Sequence, residues 1–162
     1  MEIITPKGAH IGQMDSISKA RIGNSLIEGS DDIIHYNKGV CHDAVGYTMY
    51  MLGAKITPDE LTMYSGQGWL KKFNYPEGEK WDGYSVIPKG KAIGFYRLKD
   101  KTWFHSALST GNGAEIRSVN GFKLGTTWSV PADMKWVLGK RNTEDGTFNY
   151  DGTKIEVYIS SL

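Results

Sequence analysis

The chain has 162 residues, with 19 lysines and arginines against 18 aspartates and glutamates and a formal charge of +1. That length suits one domain spanning residues 1–162, because two pieces would each be too small to bury a good core. Near-neutrality without any block of five or more basic residues argues against a nucleic-acid partner. A single cysteine excludes an intramolecular disulfide framework and a multi-cysteine zinc site. No apolar segment long enough to span a membrane exists, and residues 1–21 lack the basic flank and apolar run of a secretory signal. The expectation is synthesis in the cytoplasm without a cleavable signal, with export through a specialised secretion system left open.

In chain order, the first element is a weak helix in "DSISKARIGNSLIEGSDDIIHY", residues 15–36. Its apolar positions are Ile17, Ile22, Leu26 and Ile27, and the pattern is interrupted at Gly23 and ends near Gly29. From Asp43 to Leu52 the spacing of Val45, Met49 and Leu52 gives one apolar helix face, closed by Gly53 as C-terminal cap. The clearest helix start is "TPDE", with Thr57 as N-cap, Pro58 at the first helical position and Glu60 completing a capping box. "GQGWLKKFNYPEGEKW" reads as a loop tied down by Trp69, Phe73 and Trp81, or as a groove wall.

Beyond Pro76 the sequence turns β-branched and aromatic, predicting strands near 92–98, 102–109 and 114–120. "RLKDKTW" and "STGNGAE" are hairpin connections, the second with the Asn-Gly pair that type I′ turns favour. "NTEDGTFNYDG" is expected to be a mobile loop before a last strand in "TKIEVYISSL". Trp128 and Trp136 read as core or edge packing, with Trp128 a lesser candidate for shielding a catalytic histidine. Helices first and antiparallel sheet second is the order of an α+β domain.

The chemistry turns on Cys41, in "KGVCHDAVGYTMYMLGA". Taken alone it is as readily a buried packing residue as a nucleophile. Its place at the first turn of a helix favours the thiolate, and thiol chemistry then needs a histidine to take the proton and a third group to orient the ring. His10 lies in a loose N-terminal stretch and His35 on a separate stretch of backbone. His42 is adjacent to Cys41, and neighbours on a helix point about 100° apart. His105 lies inside the aromatic strand "TWFHSALS" and is the best-placed base, although a core histidine held by one hydrogen bond is the competing reading. No His-x₃-His or His-Glu-x-x-His spacing occurs, so neither a metal nor any cofactor is expected.

These two segments together resemble the papain-like NlpC/P60 and CHAP peptidases. "VCHDAVGYTMYMLG" is similar to their nucleophile helix at Cys41, Val45, Tyr47 and Gly53. "HSALSTGNGAEIRSVN" is similar to their histidine strand at His105, Gly111 and Asn112, with "IPKGKAIGFYR" resembling the strand before it. The resemblance covers roughly residues 38–122 and implies a papain-like fold with N-terminal helices packed on a C-terminal antiparallel sheet. It departs from the pattern in having His42-Asp43 where a Ser-Gly pair follows the nucleophile, and in a long Cys-to-His spacing, the excess lying in residues 66–90. The third polar residue would fall near Arg117, which has no acceptor. Of the neighbouring acceptors Glu115, Ser118 and Asn120, Asn120 is preferred for the role. The oxyanion hole would use the Cys41 backbone N–H and one more donor, with His35 and Asn37 as candidates.

The implied function is hydrolysis of an amide bond by Cys41, His105 and Asn120, in a peptide, a peptidoglycan peptide or a host protein. Amidase, peptidase and glutamine deamidase chemistry are equally served, because each breaks an acyl C–N bond. A delivered bacterial effector or toxin, with an immunity or inhibitor protein as a further partner, fits that size and signal-free start. The alternatives are a non-catalytic, aromatic-rich binding module and a papain-fold relative without activity.

Overall fold

The computed structural model describes residues 14–162; His10 and Gln13 lie outside the described residues. Helix α1 (Ser16–Glu28) starts where the Asp15 carboxylate accepts the Ser18 N–H at 2.7 Å, and it ends at Gly29 in a left-handed conformation. It runs straight through Gly23, where the sequence pattern breaks. A Cβ there would come within 2.9 Å of the Leu52 side chain, so the glycine permits close contact with the next helix.

That next helix, α2 (Cys41–Met51), is buried along its whole length, which explains why its apolar pattern is only partly one-sided. Helix α3 (Pro58–Met63) carries the expected capping box, with Thr57 Oγ1 accepting the Glu60 N–H at 3.1 Å and Glu60 accepting the Thr57 N–H at 2.9 Å. A short α4 (Trp69–Phe73) follows, and it buries Trp69 and Phe73 within the segment read as a loop.

The sheet comprises β1 (Glu79–Lys80), β2 (Ala92–Arg97), β3 (Thr102–Ser109), β4 (Glu115–Arg117), β5 (Ala132–Asp133), β6 (Phe148–Tyr150) and β7 (Thr153–Ile159), with α5 (Met134–Leu138) after β5. The strand order is β1-β7-β2-β3-β4-β5, with β6 on β7, and every pairing is antiparallel. The chain is thus α+β, helices preceding most of the sheet. Two sequence expectations change. Residues 148–150 of the supposed mobile loop form β6, because Phe148 and Tyr150 bury their rings. Trp136 is 88% exposed, so it packs in neither core nor edge.

The sheet separates two apolar layers. One holds α1, α2 and α4 against Ala92, Leu108 and Trp128. The other gathers Trp81, Ile93, Phe95, Ala107, Ile116, Met134, Phe148 and Val157. Arg117, at the end of β4, crosses into the helical layer and is itself buried. Its Nε donates to Ile27 O at 2.8 Å, its Nη2 to Glu28 O at 3.0 Å and its Nη1 to Trp128 O at 3.0 Å. The first two carbonyls belong to the last turn of α1, which has no intrahelical donors for them. One guanidinium therefore caps α1 and joins it to β4 and the chain beyond.

We expect Arg117→Met to lose about 1.5–3 kcal/mol of unfolding free energy by urea denaturation, the usual value of bonds to a charged donor. Arg117→Lys should recover little of it, because one ammonium cannot replace the fork.

Candidate active site

The first turn of α2 is held by an acid rather than by a conventional cap. Asp43 is buried, and its Oδ2 accepts the Val40 N–H at 2.9 Å. Its Oδ1 accepts the Gly66 N–H at 3.0 Å and the Trp69 indole N–H at 3.2 Å. These bonds satisfy one of the helix's free amides and clamp the helix start to the 66–69 segment.

Cys41 occupies the first position of this turn and is only 7% exposed. The backbone N–H groups of Ser106 and His42 lie close enough to its sulfur to favour the thiolate. Burial, reinforced by the Asp43 charge, outweighs those donors and pushes the thiol above its ordinary range. Cys41 therefore rests as a thiol at neutral pH.

The Ser106 amide is available because of how β3 is paired. The Ser109 N–H goes to Lys91 O, beside β2. Since successive N–H groups of a strand alternate sides, those of Leu108 and Ser106 face away from β2. Leu108 lies opposite Arg117, the last residue of β4, and Ser106 lies two residues past that end. The thiol takes the place a longer β4 would have filled.

His105, the residue before Ser106, is 1% exposed and turns its ring to the second apolar layer, 5.5 Å from the ring of Phe95. Its Nε2 is 3.0 Å from Ser118 Oγ, and Ser118 donates its hydroxyl proton to Leu124 O at 2.7 Å. A hydroxyl with its proton committed acts toward the ring as an acceptor. This assigns the proton to Nε2 and leaves Nδ1 with a bare lone pair. Nδ1 is buried and has no hydrogen-bond partner. Desolvation, with the nearby His42 as a second cause, pushes His105 down to about 3. The loop after β4 closes over the ring at Gly121, where a Cβ would lie 2.3 Å from Nε2.

Ser106 points its side chain the other way, into the helical layer. There its Oγ is 2.6 Å from both His42 Nδ1 and the Tyr75 hydroxyl. His42, lowered by burial, is thus a neutral anchor for β3. His42 fastens α2 to β3, and Asp43 fastens it to the 66–69 segment.

The structure brings Cys41 near the Ser106 amide but turns the His105 ring to the other layer of the sheet, so it does not bring the imidazole to the thiol. It does not bring Asn120 to the imidazole. Asn120 is exposed, has a φ of 58°, and donates its N–H to Thr126 O at the start of a turn. Ser118 holds the ring instead, because strand alternation puts Ile116 and Ser118 on the His105 face and the chain turns away before Asn120 can reach it. Of the two oxyanion candidates, His35 is exposed and bonded to Asp31 at 2.7 Å. Asn37 is buried, its Oδ1 accepting the Gly39 N–H at 2.6 Å.

Asn37, Gly39, Ala44, Asn120 and Trp128 line a cleft of about 390 Å³ beside the start of α2. Trp128 is fully buried, its indole N–H on Leu26 O at 2.8 Å, so it forms a floor to the cleft rather than a shield over His105. Sequence reasoning missed Ser106, Tyr75 and Gly121. Only the adjacency of Ser106 to His105 could have signalled the first.

Among the described residues no group of three or more His, Cys, Asp and Glu side chains is placed to hold a metal ion, and no helix is long and apolar enough to cross a membrane. No protein-family model matches the chain, and no curated protein matches it.

Two pH dependences follow from this site. Alkylation of Cys41 by iodoacetamide should rise only at pH values above the ordinary thiol range. A plateau at pH 5–6 would instead reveal a resting thiolate–imidazolium pair. Stability should also fall with acid. His105 stays neutral in the fold to about pH 3, while in the unfolded chain it protonates below about 6.5. Between those values the unfolded state binds the extra proton, so stability drops by up to about 1.4 kcal/mol per pH unit. His42 acts in the same direction. Urea midpoints should decline from pH 7 to 5, and less steeply in His105→Gln.

Proposed function

We propose that the chain is a papain-like cysteine hydrolase that cleaves an acyl C–N bond in a peptide or protein. One observation carries this reading. The Cys41 sulfur lies close to the amide that directly follows His105, whose ring is fixed through Nε2 and carries an unpartnered, unprotonated Nδ1. A buried polar atom without a partner is costly in a structural histidine and useful in a base.

In the proposed reaction the thiol proton passes to His105 Nδ1 as sulfur attacks the substrate carbonyl carbon, which requires the ring to turn out of the second apolar layer toward Cys41. The Cys41 backbone N–H supports the oxyanion. Collapse of the tetrahedral adduct breaks the C–N bond, and the imidazolium gives its proton to the departing nitrogen. Water, deprotonated by the same ring, then hydrolyses the thioester and frees the thiol. Ser118 takes the orienting role given to Asn120 from sequence. The neutral resting pair implies proton transfer during attack rather than a preformed ion pair.

A polypeptide substrate is favoured by the surroundings of the cleft. Ile34 lines it, and Phe122 and Val130 line an adjoining depression that shares Thr126 and Thr127 with it. All three, with Val40 next to the thiol, are exposed apolar side chains. Such a rim suits a macromolecular surface. The opposed reading, a relative without activity, is favoured by burial of the thiol itself.

A peptide vinyl sulfone, read by intact-protein mass spectrometry, separates the two. We expect a single adduct on Cys41 at pH 7–8, absent in Cys41→Ser and slowed at least about a hundredfold in His105→Ala, the usual scale of general-base assistance. Equal labelling of wild type and His105→Ala, or none in either, would leave Cys41 as a packing residue.

A further inference from the structure

A cleft of about 920 Å³ lies away from the thiol, at the C-terminal end of α2. Met49 and Leu52, which line it, follow Cys41 by eight and eleven positions, roughly 12–16 Å along the axis. Five lysines line it, Lys55, Lys71, Lys72, Lys89 and Lys91, and no acidic side chain does. The whole chain carries a formal charge of only +1, so this wall holds positive charge that the remaining surface balances with a net negative one.

Local structure accounts for part of this cluster. Lys71 and Lys72 sit in the last turn of α4, where cations favour the exposed carbonyls. Lys72 also pairs with Glu60 at 3.0 Å, Lys91 reaches Leu162 O at 3.2 Å and Lys89 reaches Asn24 Oδ1 at 3.4 Å. Lys55 and Lys71 are exposed and have no partner among the described residues. Lys55, Lys89 and Lys91 stand outside any helix. Like charges gathered around one concavity repel unless something negative enters it.

We propose that this cleft is a docking site for an acidic segment of a partner polypeptide. The wall contains lysine but no arginine, so it lacks the planar fork that recognises phosphate in pairs of bonds. Ammonium groups on flexible stems suit carboxylates spread along a chain. Met49, Leu52 and Tyr64 give the cleft apolar surface for the bodies of the side chains between them. Tyr64 is packed against Trp69 at 5.2 Å and offers no free platform for a base. The site is independent of the reaction proposed for Cys41.

Fluorescence anisotropy with labelled poly-L-glutamate tests this on the full chain. We expect saturable binding at 50 mM salt that weakens several-fold at 300 mM, as surface charges are screened. Lys55→Glu/Lys71→Glu should lose at least tenfold in affinity with an unchanged melting temperature, both side chains being exposed. Absence of saturable binding would overturn the proposal, as would equal affinity in the variant. Tighter binding of a single-stranded oligonucleotide of matched charge would overturn it in favour of nucleic acid.

Discussion

The buried carboxylate of Asp43 fixes where the thiol can be. By accepting one amide from the start of α2, one from Gly66 and the indole of Trp69, it ties the first helical turn to a segment more than twenty residues away. Replacing it with an apolar residue would leave those donors buried and unpaired, a cost of about 1–3 kcal/mol for each. The same negative charge opposes ionisation of the neighbouring sulfur. The group that positions the thiol therefore also keeps it protonated.

Two consecutive residues of β3 face opposite sides of the sheet. Ser106 sends its hydroxyl into the helical layer, where His42 and Tyr75 hold it. His105 sends its ring into the other layer, where Phe95, Ser118 and Gly121 confine it. Arg117 repeats the division on β4 by leaving the face that Ser118 uses and closing the end of α1. The pleat places His105 and Ser106 in separate layers, so each is packed without crowding the other.

Much of the fold was legible in the sequence. The capping box at Thr57, the apolar face of α2 and the aromatic strands each announce themselves through local chemistry. The α+β order follows from them. What escaped depends on tertiary contacts. Gly23 looked like a helix break because its contact with Leu52 has no local signature, and β6 looked like loop because three residues paired with a neighbouring strand carry little periodic signal. At the site, Cys41 and His105 stood out by residue type and position. The choice of Asn120 over Ser118 could not be made from spacing, since it depends on where β4 stops and on the left-handed turn that follows.

The shortness of β4 has a chemical meaning. A strand amide has one proton to give, and in an ordinary ladder it goes to the neighbouring carbonyl. By ending at Arg117, β4 leaves the Ser106 proton without a ladder partner, and the Cys41 sulfur lies close to it. Sheet growth and the placing of the sulfur thus compete for a single position. Two further paired residues would complete the ladder and evict the cysteine.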